Sequence, residues 1–245
     1  MESDDKTIRI HDTEYVSPES EHSTSSGQLA AGVMFIVAFL IVSALVITQI
    51  TQSFDAHLAL ALNRATLGEI FATTMVFFTK YGREYFWISV VGIMMLLGKR
   101  ETRLLAIELA ALFIFSIFVG EILKLIIFRP RPFTAFSDII TRVPLDPDSS
   151  YPSGHAIIVS IGAFFSLVKF KRRLVALLLT LEAAIVCYSR VYVGMHYPLD
   201  LVAGIFLGMA IVSIGLPILE RYVALLMNRA ASLLTKLLGN GIIAL

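Results

Sequence analysis

Residues 189–200 read Ser-Arg-Val-Tyr-Val-Gly-Met-His-Tyr-Pro-Leu-Asp and form a polar block between two long apolar stretches. Two further blocks interrupt the apolar sequence in the same way, Lys-Leu-Ile-Ile-Phe-Arg-Pro-Arg-Pro at 124–132 and Pro-Ser-Gly-His at 152–155. Ionisable side chains are costly to keep beside hydrocarbon and by default mark functional positions. The three blocks therefore predict one functional site within a membrane protein.

The composition supports a membrane setting. The chain has 245 residues, of which 57% are hydrophobic and 16% are charged, whereas soluble domains carry about 25% charged residues. The net charge of +1 gives no reason to expect a nucleic-acid partner. The single cysteine, Cys187, cannot form an internal disulfide.

Six apolar segments predict an all-α fold, a six-span transmembrane helix bundle. They are residues 29–50, 85–97, 104–128, 156–168, 174–189 and 199–216. A polar interruption at 80–84 separates the second span from an apolar stretch that begins at residue 71, which we interpret as an interfacial or re-entrant helix. The predicted divisions are an acidic disordered tail at 1–28, a membrane domain at 29–216 and an amphipathic C-terminal segment at 217–245. The polar N-terminus does not resemble a signal peptide.

Basic residues predict the orientation. They cluster after the second, fourth and sixth spans, at Lys99, Arg100, Arg103, Lys169, Lys171, Arg172, Arg173, Arg221, Arg229 and Lys236. Because short cytoplasmic loops are enriched in Lys and Arg, we expect a cell-membrane protein with both termini in the cytoplasm. The three polar blocks then fall together on the extracytoplasmic side.

Three cations in the blocks, Lys124, Arg131 and Arg190, predict an anion site. A charge pair at about 4 Å contributes roughly 4 kcal/mol at an effective dielectric constant near 20, before desolvation is subtracted. Ser153 is a favourable N-cap, and the backbone amides at the following helix start, including that of Gly154, can donate to phosphate oxygens. The blocks therefore predict phosphate binding.

Two histidines and one carboxylate predict phosphoryl-transfer chemistry. Asp200 lies close behind His196, so it can accept a hydrogen bond from one ring nitrogen and leave the other free to attack phosphorus. His155 is the candidate general acid for the departing oxygen. No cluster resembles a divalent-metal site, and the cations already supply positive charge, so we expect no metal and no cofactor.

The blocks resemble the type 2 phosphatidic acid phosphatase family, in the superfamily that includes the vanadium haloperoxidases. Its Lys-x6-Arg-Pro motif matches Lys124 to Pro132, its Pro-Ser-Gly-His motif matches residues 152–155, and its Ser-Arg-x5-His-x3-Asp motif matches residues 189–200. The resemblance covers roughly residues 29–216. It implies a phosphohistidine intermediate on His196 and activity without a metal.

The substrate and the phosphate acceptor stay open at this point. A site at the membrane edge suits a phosphorylated lipid, such as a polyprenyl diphosphate, phosphatidic acid or phosphatidylglycerophosphate. One alternative is a phosphotransferase that moves phosphate to another lipid rather than to water. Another is a non-catalytic lipid-binding or transport protein, although intact His196, His155 and Asp200 argue against it. We also expect Glu121 to pair with Lys124, and Gly204 and Gly208 to pack within the protomer.

Overall fold

The structure, a computed structural model, describes residues 18–238 apart from Thr66. This part of the chain contains helices and no strand. The helices are α1 (Pro18–Ile47), α2 (Gln52–Asn63), α3 (Glu69–Tyr81), α4 (Glu84–Leu97), α5 (Arg100–Ile126), α6 (Pro132–Ala135), α7 (Gly154–Lys169), α8 (Arg173–Tyr192) and α9 (Pro198–Leu238). The predicted all-α class is therefore confirmed.

Four helical stretches in the described residues are long and apolar enough to cross a membrane: 26–47, 100–126, 173–192 and 198–223. In the most apolar windows of α1 and α5, only 22% of the residues are buried within the protein. Helices with large outward apolar faces need a non-aqueous surrounding, so the chain is a multi-pass membrane protein. Helices α4 and α7 have 14 and 16 residues and fall short of the usual spanning length, so the predicted count of six spans stays a prediction.

The polar interruption at 80–84 separates two helices. Helix α3 ends at Tyr81, and α4 begins at Glu84. A Cβ at Gly82 would lie 2.3 Å from the Val186 side chain and 2.6 Å from a backbone carbonyl, so only glycine fits there. Gly82 therefore packs closely against α8, and the next residue, Arg83, lies beside the bundle core. Helix α2, in contrast, was not predicted from the sequence.

The two predicted terminal segments lie partly outside the described residues. Helix α1 begins at Pro18, within the predicted tail at 1–28, and residues 1–17 are not described. The predicted C-terminal segment at 217–245 continues α9 through Pro217 as far as Leu238, and residues 239–245 are not described.

Helix α7 lies at the centre of the bundle and packs against α5, α8 and α9. Gly204 and Gly208 on α9 allow the closest of these approaches. A Cβ at Gly204 would lie 2.8 Å from the carbonyl oxygen of Ser153, and one at Gly208 would lie 2.8 Å from that of Ile157. The predicted packing of both glycines inside the protomer is confirmed, and it holds the starts of α7 and α9 side by side.

The three polar blocks meet at one end of the bundle. The amide of Ser150 donates to the carbonyl of Arg129 at 2.9 Å, which ties the first block to the chain entering α7. The amide of Ser153 donates to the carbonyl of Asp200 at 3.1 Å, which ties α7 to α9. The opposite end carries the basic turns, where Lys169 forms an ion pair with Glu220. Helix packing therefore assembles residues that are distant in the sequence into one polar site.

Candidate active site

His196 lies in the tight turn between α8 and α9. Gly194 adopts a φ of +84°, a conformation that favours glycine, and the amide of His196 donates to the carbonyl of Arg190 at 3.3 Å. The Nδ1 atom lies 2.8 Å from the carbonyl oxygen of Ser150. Because a carbonyl only accepts, the ring carries its hydrogen on Nδ1 and leaves a lone pair on Nε2.

The free nitrogen of His196 faces the cations. Its Nε2 lies 3.4 Å from Nη1 of Arg131, and the side chain of His196 is only 2% exposed. Burial lowers the pKa of His196 well below its usual range, and the nearby guanidinium groups of Arg190 and Arg131 lower it further. A neutral ring with an available lone pair is the form that can attack phosphorus.

Asp200 lies next to His196, but the ring makes its shorter contact elsewhere. The Oδ2 atom of Asp200 is 3.5 Å from Nδ1 of His196, whereas the Ser150 carbonyl is at 2.8 Å. Asp200 itself accepts hydrogen bonds from the Tyr197 amide at 2.9 Å and from Arg129 at 2.6 Å. The carbonyl of Ser150 therefore holds the ring, and the buried carboxylate adds negative charge beside it.

A second buried carboxylate completes this network. Arg129 donates from Nη2 to Asp55 at 2.7 Å and from Nη1 to Asp200 at 2.6 Å, and its guanidinium stacks on the Tyr197 ring at 3.9 Å. Asp55 also accepts from the amide of Leu199 at 3.0 Å. Both carboxylates are fully buried. Burial raises the pKa of Asp55, although the contact with Arg129 opposes the shift.

Sequence reasoning missed both Arg129 and Asp55. Arg129 precedes Pro130 in a tandem Arg-Pro-Arg-Pro sequence, and the motif match drew attention to the second arginine. Asp55 is the one acidic residue of helix α2, with Ala56 and Ala59 buried on the same helix. An isolated acid in such a helix is a usable signal, because buried charges need a partner.

The three predicted cations converge on two carboxylates from the segment before α7. Lys124 contacts Asp148 at 2.6 Å and Glu121 at 3.4 Å, so the predicted pairing with Glu121 is confirmed. Arg131 forms an ion pair with Asp148. Arg131 and Arg190 each lie 3.8 Å from Asp146.

These cations hold Asp148 in its charged form. Partial burial opposes ionisation, but hydrogen bonds from Lys124 and Arg131 lower the pKa of Asp148 to about 2. Arg190 donates to Thr79 at 3.3 Å, and its buried Nε has no hydrogen-bond partner among the described residues. The site therefore concentrates positive charge that carboxylates partly neutralise and that a phosphate group could engage.

His155 lies at the start of α7 and faces a different environment. The side chain of Ser153 accepts from the Ala156 amide at 3.4 Å, which confirms the predicted N-cap. The helix starts at Gly154, one residue before His155. The ring Nε2 lies 3.2 Å from the Thr79 carbonyl, and Nδ1 lies 3.4 Å from Nη1 of Arg83. The carbonyl requires a hydrogen on Nε2, so the Nδ1 lone pair points toward Arg83.

An apolar groove of about 520 Å³ extends along the bundle from the start of α7, where Gly154 lines it. Its polar end includes Arg83, Lys124 and Gly154, which lie at helix ends beside the site. Its remaining length is lined mainly by apolar side chains of α4, α5 and α7, including Trp87, Ile88, Val91, Phe113, Ile114 and Ile157. The groove therefore connects the cationic site with a surface suited to hydrocarbon.

The fold and the site together define a class, helical multi-pass membrane proteins with a buried histidine and cation site at one end of the bundle. Residues 105–223, which include all three polar blocks, match the profile of the PAP2 superfamily. The resemblance stated from the motifs is thus confirmed over this segment.

Two similar proteins are undecaprenyl-diphosphatases by name. The chain is 43% identical over 134 residues to the undecaprenyl-diphosphatase of Sulfolobus acidocaldarius, a match that covers 55% of this chain and 64% of the relative. It is 28% identical over 140 residues to the undecaprenyl-diphosphatase BcrC of Bacillus subtilis, covering 56% of this chain and 69% of that protein. The chain thus matches less than two thirds of the length of the archaeal relative.

Two crystal structures share the fold. The PAP2-type phosphatidylglycerolphosphate phosphatase of Bacillus subtilis superposes with a TM-score of 0.63 at 23% identity, covering 76% of this chain and 95% of that one. Aquifex aeolicus LpxE gives a TM-score of 0.57 at 24% identity, covering 65% of this chain and 93% of that one. At this identity the likeness concerns the fold alone.

Proposed function

We propose that this chain is an integral membrane phosphatase that hydrolyses a lipid phosphate or diphosphate through a phosphohistidine on His196. The observation that carries the proposal is the state of that ring. Its Nδ1 hydrogen is held by the Ser150 carbonyl, and its Nε2 lone pair lies 3.4 Å from Arg131. A lone pair beside a cation suits attack on a phosphorus atom whose oxygens that cation binds.

The first half of the reaction forms the phosphoenzyme. Lys124, Arg131 and Arg190 bind the terminal phosphate, with the amides at the start of α7 as further donors. A bond forms between His196 Nε2 and phosphorus as the bond from phosphorus to the leaving oxygen breaks, and the electron pair stays on that oxygen. His155 is held through Nε2 by the Thr79 carbonyl. When the leaving group needs a proton, Nδ1 first takes one up from solvent as the negatively charged phosphate binds and then delivers it to the leaving oxygen.

The second half returns the enzyme to its starting state. His155, now neutral, accepts a proton from a water molecule that attacks phosphorus, and the bond to His196 Nε2 breaks. Inorganic phosphate then leaves, and the cations return to the ion pairs with Asp148 and Asp146 that the structure shows. Asp200 stabilises the positive charge that develops on the His196 ring, in the way that a triad carboxylate stabilises an imidazolium.

The apolar groove supports a lipid as the substrate. A hydrocarbon chain between α4 and α5 would bring its phosphate to Lys124 and Arg83 at the polar end, and Arg83 lies beside His155. The names of two relatives, both undecaprenyl-diphosphatases, favour a polyprenyl diphosphate over phosphatidic acid or phosphatidylglycerophosphate.

We further propose six spans, cytoplasmic termini and an extracytoplasmic site, with a membrane domain at 29–216 between a tail and a C-terminal segment. The separation of the basic turns from the site supports this orientation. In a Cys187→Ala background, single cysteines at the exposed positions Asp138 and Lys171 should react with an impermeant reagent from opposite sides of the membrane. Labelling of both from the same side would overturn the topology.

Phosphate release from purified lipids, with and without an alcohol acceptor, tests the activity. Hydrolysis should release inorganic phosphate whether or not the acceptor is present. Phosphate transfer without release in water would favour the lipid phosphotransferase, and binding without turnover of any lipid phosphate would favour the transport protein.

Excess EDTA tests the expectation that no metal or cofactor takes part. The cations already provide the positive charge that a metal would supply to a phosphate, so turnover should be unchanged. Activity that EDTA abolishes and magnesium restores would contradict the mechanism. Vanadate, which adopts five-coordinate geometry like that of transferring phosphorus, should compete with the substrate.

A further inference from the structure

Arg83 lies outside the three polar blocks, yet it reaches the candidate general acid. It is the N-cap residue of α4, and its Nη1 lies 3.4 Å from Nδ1 of His155. Its other guanidinium nitrogens, Nε and Nη2, contact the carboxylate of Glu84, which is 45% exposed. A partly exposed ion pair contributes little, so an anionic ligand can replace Glu84 at small cost.

The nitrogen that faces Arg83 is the one that would meet the leaving group. His155 uses Nε2–H to donate to Thr79, so Nδ1 is left for a proton transfer. An oxygen that approaches Nδ1 along its lone pair therefore comes next to the Arg83 guanidinium, whose Nη1 lies 3.4 Å from that nitrogen. A Cβ added at Gly154 would lie 3.4 Å from the same Nη1 atom, so the arginine also lies against the start of α7.

Arg83 also lines the polar end of the apolar groove, together with Lys124 and Gly154. If the chain of a lipid lies in the groove and its phosphorus lies at His196, the atoms that connect them must pass this polar end. In a monoester, the connecting atom is an alcohol oxygen. In a diphosphate, it is a second phosphate that carries its own negative charge.

We propose that Arg83 is a specificity-determining residue that binds the lipid-proximal phosphate of a diphosphate substrate. The inference rests on the proposed function and extends it to the substrate class. Lys124, Arg131 and Arg190 serve the terminal phosphate, and Arg83 is a further cation, which lines the groove and lies 3.4 Å from Nδ1 of His155. A guanidinium matches the paired oxygens of a phosphate in a planar, bidentate manner.

The two substrate classes differ in the charge that develops on the leaving group. With a diphosphate, the bond between the terminal phosphorus and the bridging oxygen breaks, and the electron pair makes that oxygen part of a lipid monophosphate. Arg83 neutralises this charge directly. With a monoester, the electron pair would form an alkoxide, a far stronger base, and the proton of His155 becomes essential.

The test compares the hydrolysis of a polyprenyl diphosphate with that of the monophosphate of the same chain length. Arg83→Gln should lower kcat/KM for the diphosphate by about 10- to 100-fold, the effect of one charged hydrogen bond, and change that for the monophosphate much less. Arg83→Lys should retain an intermediate preference. Lys80→Gln is the matched control, because Lys80 is exposed and its amine lies over the Tyr81 ring.

Inhibition supplies a measurement that does not depend on turnover of the lipid. Inorganic pyrophosphate should inhibit the Arg83→Gln variant less than the wild type, whereas inorganic phosphate should inhibit both equally. An equal loss of kcat/KM for both lipids, or unchanged pyrophosphate inhibition, would overturn the role of Arg83. A wild-type protein that hydrolyses neither lipid would instead overturn the proposed function.

Discussion

The two histidines of the site lie in contrasting surroundings. His196 is buried, and its neighbours form a closed network in which Arg129 joins the carboxylates of Asp55 and Asp200. His155 lies beside Arg83, which lines the polar end of an apolar groove. We call these the closed half and the open half of the site.

The contrast separates chemistry from recognition. A nucleophile benefits from a fixed orientation and a dry surrounding, because preorganised groups need not rearrange during the reaction. A leaving group varies with the substrate, so its surroundings must admit different lipids. Changes in the closed half should therefore affect all substrates alike, and changes in the open half should depend on the substrate.

The largest effect should follow from breaking the closed half at its centre. His196→Ala removes the proposed nucleophile, and turnover of every lipid phosphate should fall by about a thousandfold or more. The variant should keep its helical content and assembly in detergent. His57→Ala is the matched control, because His57 is exposed on α2.

Trapping the phosphorylated protein sharpens this test. Acid-stable hydroxyl phosphoesters differ from acid-labile phosphohistidine, so a quenched reaction with labelled substrate distinguishes the two. Labelled protein in the His196→Ala variant at the wild-type level would place the intermediate on another residue. His155→Ala should lower monoester turnover more than diphosphate turnover, which is the opposite preference to that of Arg83→Gln.

Arg129→Gln should disrupt the closed half through its stability. The change leaves Asp55 and Asp200 buried without their cation, and breaking such a buried pair costs about 3–5 kcal/mol. Thermal unfolding in detergent should therefore shift strongly downward. Arg64→Gln provides the comparison, since its ion pair with Asp138 is exposed and should contribute about 0–1 kcal/mol. Equal shifts for the two variants would contradict the network.

The sequence predicted the motif residues of both halves but missed Arg129 and Asp55 in the closed half and Arg83 in the open half. The spacing of each motif is set by a single turn or helix end, so local sequence rules were enough to find its residues. These include His196, Asp200, Arg131 and Arg190. The bond from His196 to the Ser150 carbonyl was not predictable, because a backbone acceptor leaves no mark on residue identity.

The missed residues depend on long-range packing. Asp55 lies on a short helix 74 positions before Arg129, and Arg83 meets His155 across 72 positions. The family motifs lie inside the three blocks, so they give no information about residues outside them, such as Asp55 and Arg83. The break between α3 and α4 was predicted from residues 80–84, but its consequence, an arginine beside the general acid, required the position of α7.

The contact between the two halves depends on Gly208. A Cβ there would lie 2.1 Å from the Ser160 hydroxyl and 2.8 Å from the Ile157 carbonyl, so Gly208→Ala must push α9 away from α7. We expect a loss of stability of about 1–3 kcal/mol, as for other overpacked contacts. Gly92→Ala is the control, because nothing lies within 4 Å of its added Cβ, and a helical alanine can stabilise by up to about 1 kcal/mol. A neutral Gly208→Ala would mean that the helices separate without cost.

The smallest effect should come from a change at Asp148. This residue is part of neither half of the site, but its carboxylate forms ion pairs with Lys124 and Arg131. Its pKa of about 2, lowered from 3.8 by Lys124 and Arg131 against the effect of burial, keeps it charged at neutral pH. Its pairing therefore stabilises the fold fully above about pH 4, and this contribution is lost as the pH falls through about 2.

A phosphate must displace the Asp148 carboxylate from both cations. Asp148→Asn should thus lower KM and strengthen vanadate inhibition by about two- to tenfold, the range of a partly exposed ion pair. Asp138→Asn, a charge change of the same size at an exposed pair, should leave both unchanged. Weaker vanadate inhibition in Asp148→Asn would mean that the carboxylate aligns Arg131 for the phosphate instead of competing with it.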